Sequence, residues 1–197
     1  MITVTRASSA ALPLDAGAFT IVAYVDSTGI DHVAIVATSP EHRSQTPLVR
    51  VHSECLTGDV LGSLRCDCGP QLQESLRRIA QCGHGAVVYL RGHEGRGIGL
   101  ANKITAYSLQ DQGLDTVDAN VAQGFDADHR NFAAAAAILH ELNFVKIKLL
   151  TNNPAKVKSV TDHGILVEQT VPLVAGHTAH NKTYLDTKRA RLGHQFD

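Results

Sequence analysis

With 197 residues, 44% of them hydrophobic, the chain is long enough for one domain with a sizeable core. Its formal net charge of −1 excludes a global basic footprint for nucleic acid, and no apolar run approaches the roughly 20 residues of a membrane span. The N-terminal MITVTRASSAALPLDAG lacks the charged-then-apolar order of a secretory signal, so the expected setting is the cytoplasm, where clustered thiols bind metal rather than pair.

Residues 18–26 and 32–38 are rich in β-branched residues, and Ser27-Thr-Gly-Ile between them reads as the turn of a β-hairpin. A third strand over 47–53 delivers Glu54 and Cys55 at its C-terminal end. After Cys68-Gly-Pro, Leu72, Leu76 and Ile79 repeat at helical spacing, with Pro70 in the first turn. Gly85–Leu90 is a short buried strand. It runs into a loop, Arg91-Gly-His-Glu-Gly-Arg-Gly-Ile-Gly99, whose glycines let backbone amides approach a ligand. That loop is neither a P-loop nor a dinucleotide fingerprint, but Arg91, Arg96 and Lys103 nearby suit a phosphate. A helix over about 98–112 places Leu100, Ile104 and Tyr107 on one face, and the polar stretch 115–131 reads as a connector. An Ala-rich helix follows, marked by Phe132, Ala136, Leu139 and Leu142, and then a strand at Val145–Leu149. Asn153 and Pro154 are set to cap and start the next helix. A last strand at Ile165–Leu173 and a charged helix over 181–194 complete the chain. The expected fold is mixed α/β: a single domain over 1–197 with an N-terminal β-hairpin and a mixed sheet flanked by helices.

Cys55, Cys66 and Cys68 are three of the four cysteines. The Cys-x-Cys pair cannot close a relaxed disulfide, but with Cys55 it can share one soft metal, and zinc accepts such a set. Three protein ligands leave a fourth position open, as in catalytic zinc sites. A structural zinc with a distant fourth ligand from among the eleven histidines, or three ordinary buried cysteines, are the other readings. The pair sits just before a helix N-terminus, whose partial positive charge favours thiolate. Cys82 stands apart as a structurally neutral thiol.

The segments RVHSECLTGDVLGSLRCDCG, HEGRGIGLANK, AYSLQDQGLDT, LLTNNPAK and YLDTKRARLGH, in this order, closely resemble GTP cyclohydrolase II, the family that opens the guanine ring of GTP at the start of riboflavin synthesis. The resemblance covers nearly the whole chain. It implies one Zn2+ per chain on Cys55, Cys66 and Cys68, with GTP bound by Arg50, Val51, His52, Ser53, Glu54, Gln71, Glu94, Gly95, Arg96, Thr116, Thr151 and Lys156. Mg2+ is expected with the triphosphate, and a homodimer is expected in solution. Tyr107 matches the tyrosine linked to hydrolysis beyond the formamide. Asp128 matches the proton acceptor for pyrophosphate release, and Arg130 the proposed nucleophile at the α-phosphorus. Because arginine stays protonated, an electrostatic clamp is the simpler role for Arg130.

Two departures stand out. His93 adds a residue to a loop that is shorter in many relatives, and Asn131 stands where an acidic residue is usual. The second bears on how Arg130 is held. A relative that stops at the formamide or serves another pathway, and a non-catalytic nucleotide-binding module, are the competing readings. The chain begins close to the start of the cyclohydrolase, so no fused dihydroxybutanone phosphate synthase is expected.

Overall fold

The computed structural model describes residues 2–125, 128 and 130–193. The apolar runs pair into one seven-stranded sheet: β1 (Val4–Leu14), β2 (Gly17–Asp26), β3 (Asp31–Thr38), β4 (Leu48–Ser53), β5 (His84–Leu90), β6 (Lys146–Leu150) and β7 (Leu166–Val171). Their order across the sheet is β1-β2-β3-β5-β4-β6-β7. The pairs β1–β2, β2–β3 and β3–β5 are antiparallel, while β5–β4, β4–β6 and β6–β7 are parallel. The parallel half needs helical crossovers. These are α1 (Cys68–Cys82) between β4 and β5, then α2 (Leu100–Asp111), α3 (Thr116–Val121) and α4 (Ala133–Glu141) between β5 and β6, and α5 (Pro154–Asp162) between β6 and β7. A final helix, α6, spans Lys182–Leu192. Among the described residues, no helix is long and apolar enough to cross a membrane.

The expected hairpin is present, but it is the second half of a three-stranded meander, because β1 pairs along the outer edge of β2. The sequence hid β1 for a physical reason. Its register shifts between Arg6 and Ser8, and such a bulge moves every later side chain to the other face. Val4 packs on one core and Leu12 and Leu14 on the other, so no single alternation runs through the strand.

Two apolar cores sandwich the sheet. On one face Val22, Tyr24, Val49, Val51, Val88 and Leu90 meet Ala135, Ile138 and Leu139 of α4 and Val160 of α5. On the other, Phe19, Ala37 and Val87 meet Leu76 and Ile79 of α1. The two-residue period of β4 divides its labour: Val49 and Val51 face the first core, and Arg50 and His52 point to the other side. Because β4, β5 and β6 run parallel, their carboxyl ends lie along one edge, where α/β folds gather ligands.

Two expectations change here. The polar stretch 115–131 contains α3, capped by the Asp115 carboxylate, which accepts from the Val117 and Asp118 amides at 2.7 and 2.8 Å. In α2 the buried residues are Lys103 and Ala106, and Leu100 and Ile104 are exposed. The helix turns a polar edge inward because that edge meets the cysteine cluster.

Candidate active site

Cys55 leaves the end of β4 and enters a single π-turn, Leu56–Val60, that reverses the chain. The return segment brings Cys66 and Cys68 back beneath it, at the start of α1. The Cys55 and Cys66 sulfurs are 3.7 Å apart, and all three sulfurs lie within 4.8 Å of one another. A tetrahedral zinc with bonds of about 2.3 Å needs sulfurs about 3.8 Å apart, so the cluster fits that ion. Gly58 makes the approach possible. A Cβ there would stand 2.7 Å from the Cys66 sulfur and 3.2 Å from that of Cys55.

Asp59 anchors the turn. Its carboxylate accepts from the Cys55 amide at 3.0 Å and the Tyr89 hydroxyl at 2.8 Å, and it meets His52 Nε2 at 3.1 Å. Burial holds His52 below the ordinary imidazole range, against the pull of Asp59. Lys103 donates to the Cys55 sulfur at 3.1 Å, to the Thr57 hydroxyl at 2.9 Å and to Glu94. Hydrogen bonds from Cys66 and Cys68, with Lys103 beside them, hold Cys55 far below a free thiol, whereas Cys66 and Cys68 are raised by the shared hydrogen bonds and by burial. Tyr107 meets Thr57 at 3.1 Å, and the Arg65 guanidinium lies 4.8 Å from its ring centre.

The cleft beyond the sulfurs opens to solvent, and Arg50, Arg96, Arg130 and Lys156 are among the side chains that line it. Arg50 donates to the Leu150 carbonyl at 3.1 Å and to Gln71 at 2.7 Å, and Gln71 in turn donates to Asp67 at 2.6 Å. Burial lowers Arg50 to about 10, offset in part by Asp67 and Cys68, and it remains charged at neutral pH. Buried Arg50 Nε and His52 Nδ1 have no protein partner among the described residues. Lys156 donates to the Val51 carbonyl at 2.8 Å.

Arg130 grips Asp128 through Nε at 2.8 Å and through Nη2, and lies over the Phe132 ring. Burial alone would lower Arg130, but Asp128 outweighs it and holds the guanidinium charged. Ser53 Oγ meets His93 Nδ1 at 3.1 Å. Burial, with Arg130 and Lys156 nearby, depresses His93 to about 4. Glu54 accepts from the Gly92 amide at 3.1 Å, and burial raises its carboxyl. Arg96 adopts a left-handed backbone, φ 67°, which is uncommon outside glycine and concentrates at functional sites.

Of the sequence-predicted residues, Arg50, His52, Ser53, Glu54, Cys55, Cys66, Cys68, Gln71, Glu94, Gly95, Arg96, Tyr107, Arg130, Thr151 and Lys156 line this one cleft. Val51 does not: its side chain is in the core, and only its carbonyl faces Lys156. Asp128 stands behind Arg130 as its partner. The side chain of Thr116 lies outside the described residues. Both Glu94 oxygens are engaged, one by Lys103 and the other by the Leu56 amide at 2.7 Å. Sequence reasoning missed Thr57, Gly58 and Asp59, although Leu-Thr-Gly-Asp directly after Cys55 was the available signal, and it assigned Lys103 to phosphate. It also missed Tyr184 of α6 and Asn120 of α3, which line the cleft from segments remote in sequence.

An α/β protein with three converging thiols that could hold a metal ion, beside a cation-lined cleft at the carboxyl ends of parallel strands, is the class that the fold and site define. The family model for GTP cyclohydrolase II matches residues 5–172, and the chain belongs to that family. It is 50% identical to the GTP cyclohydrolase-2 of Aeromonas hydrophila over 197 residues, covering 100% of this chain and 99% of that protein. It is likewise 50% identical to the GTP cyclohydrolase-2 of Actinobacillus succinogenes, over 98% of this chain and 89% of that one. Riboflavin biosynthesis protein RibBA of Rhodococcus erythropolis is 50% identical over 98% of this chain, and the chain spans only 46% of its length.

Proposed function

We propose that this chain hydrolyses GTP, opening the imidazole ring and releasing formate and pyrophosphate to leave the diaminopyrimidinone ribosylamine 5′-phosphate at the entry to riboflavin biosynthesis. The observation that carries this reading is the placing of three sulfurs at zinc spacing in the same cleft as Arg50, Arg96, Arg130 and Lys156. Cys55, Cys66 and Cys68 would hold one zinc ion per chain, which would supply the Lewis acidity that hydrolysis at C8 needs.

The chain's own groups do the rest. Gln71, held between Arg50 and Asp67, presents its amide to the guanine edge. Arg96 and Lys156 bind phosphate oxygens, and Mg2+ arrives with the triphosphate. Arg130, kept charged by Asp128, stabilises the charge that develops as pyrophosphate leaves. This clamp role needs no neutral guanidine, and Asn131 does not weaken it, because Asp128 already grips one edge of the Arg130 guanidinium with two bonds. The Tyr107 hydroxyl, set by Thr57, donates to the opening ring. Glu54, with its raised carboxyl at the mouth, takes up a proton.

The catalytic unit is the whole of 1–197, it works in the cytoplasm, and it pairs as a homodimer. Exposed Val60, Leu61 and Leu64 and exposed Leu100 and Ile104 support pairing; their two segments are joined by the Arg65–Asp111 ion pair. Formate release from GTP tests the reading. Zinc-loaded protein is expected to release it and the Cys68→Ser variant to lose at least ~100-fold in rate. A variant as active as the parent would overturn the metal assignment.

A further inference from the structure

Lys103 is buried on α2 and lines the cleft on the side of the cysteines. Its ammonium has three partners: the Cys55 sulfur at 3.1 Å, Thr57 Oγ1 at 2.9 Å and Glu94. Each partner is itself tied to the metal loop. Glu94 holds the Leu56 amide, next to Cys55, and Thr57 holds Tyr107. The approach of the glycine-rich loop to α2 depends on Gly95, at φ 59°, where a Cβ would lie 3.1 Å from Lys103 Cβ and 2.8 Å from Ile98 Cγ1.

Three thiolates are strong donors, and together they outweigh the charge of a divalent ion. A metal so neutralised polarises water and substrate poorly. A cation donating a hydrogen bond to one sulfur withdraws density from it and weakens it as a donor. We propose that Lys103 is a positioning residue of the metal site: fixed by Glu94 and Thr57, it donates to the Cys55 sulfur and so preserves the Lewis acidity of the ion those thiols hold. This rests on the metal reading above. It also gives Glu94 a defined part, to hold the lysine and the Cys55–Leu56 turn, since both its oxygens are spent there. The bland reading is a buried ion pair that merely pins the 94–97 loop to α2. That role would leave the electronic character of the sulfurs unchanged.

Cobalt(II) in place of zinc separates the two, because its sulfur-to-metal charge-transfer band reports donor strength independently of turnover. In Lys103→Met the band is expected at longer wavelength than in the parent, with kcat down about 10- to 100-fold and KM little changed. In Lys103→Arg, which still donates, the band is expected at the parental position with part of kcat restored. If the Met variant does not fold or hold cobalt, Lys103→Gln, near in size and uncharged, carries the same expectation. A band in either neutral variant that superimposes on the parent's overturns the proposal, whatever the activity. No charge-transfer band in the parent overturns it together with the metal reading. A shifted band in a protein that releases no formate from GTP supports it while removing the proposed reaction.

Discussion

At Gly58 one added methyl decides the metal site. The substitution Gly58→Ala puts a carbon 2.7 Å from the Cys66 sulfur, which forces the thiols apart. Zinc retained against a competing chelator should fall by at least ~10-fold, while a variant with parental stoichiometry and affinity would contradict the packing argument. His93 offers a titration. It lies at about 4 in the free protein because of burial and the cations Arg130 and Lys156, so the fold favours neutral imidazole. Its contribution to stability is therefore present above the ordinary histidine range and lost as pH falls from about 6.5 toward 4. A triphosphate seated on Arg130 and Lys156 offsets those charges, so the His93 midpoint should rise on adding a non-hydrolysable GTP analogue, followed by imidazole proton shifts in NMR. An unchanged midpoint would place the phosphates elsewhere. The grouping of Cys55, Cys66 and Cys68 was legible in the sequence as a set that could hold a metal, although spacing alone left a structural zinc or plain buried thiols open. The sequence did not reveal that Lys103 meets sulfur, because that contact needs α2 to turn its polar edge inward.

Among the elements, the β2–β3 hairpin is fixed by one carboxylate. Asp26 accepts from the Thr28 amide at 2.8 Å, its hydroxyl at 2.7 Å and the Ile30 amide at 3.0 Å, and meets His32 at 3.2 Å. Burial would raise Asp26, but these bonds prevail and lower it to about 2. Its stabilisation is thus present above the ordinary aspartate range and lost as pH falls from about 4 toward 2. Asp26→Asn should cost about 1–3 kcal/mol in urea unfolding at pH 7 and flatten the acid limb of the stability curve. Equal stability at pH 7 would show that the amide satisfies the same turn. The hairpin itself was legible from its β-branched runs and Thr-Gly turn. The strand before it was not, because its bulge breaks the alternation that marks a strand. The exposed Leu100–Ile104 stripe misled for a related reason: helical periodicity reports an apolar face but not what covers it.

For the whole molecule, that same stripe becomes a prediction about assembly. Val60 and Leu61, on the segment joined to α2 by the Arg65–Asp111 ion pair, are 71% and 69% exposed. Light scattering on eluted protein should give a dimer, and Leu61→Asp with Ile104→Asp should give a monomer. A parental monomer would remove this surface from the account. The layout of sheet and helices was recoverable from motif order, because strand, glycine loop and helix alternate after the hairpin. The convergence of α3 and α6 on the cleft was not, since Asn120 and Tyr184 belong to segments with no apolar rhythm. Mass spectrometry of the products of zinc-loaded protein with GTP and Mg2+ tests the proposed chemistry most directly. Formate, pyrophosphate and the diaminopyrimidinone monophosphate are the predicted set. GTP returned unchanged by protein with zinc demonstrably bound would contradict it.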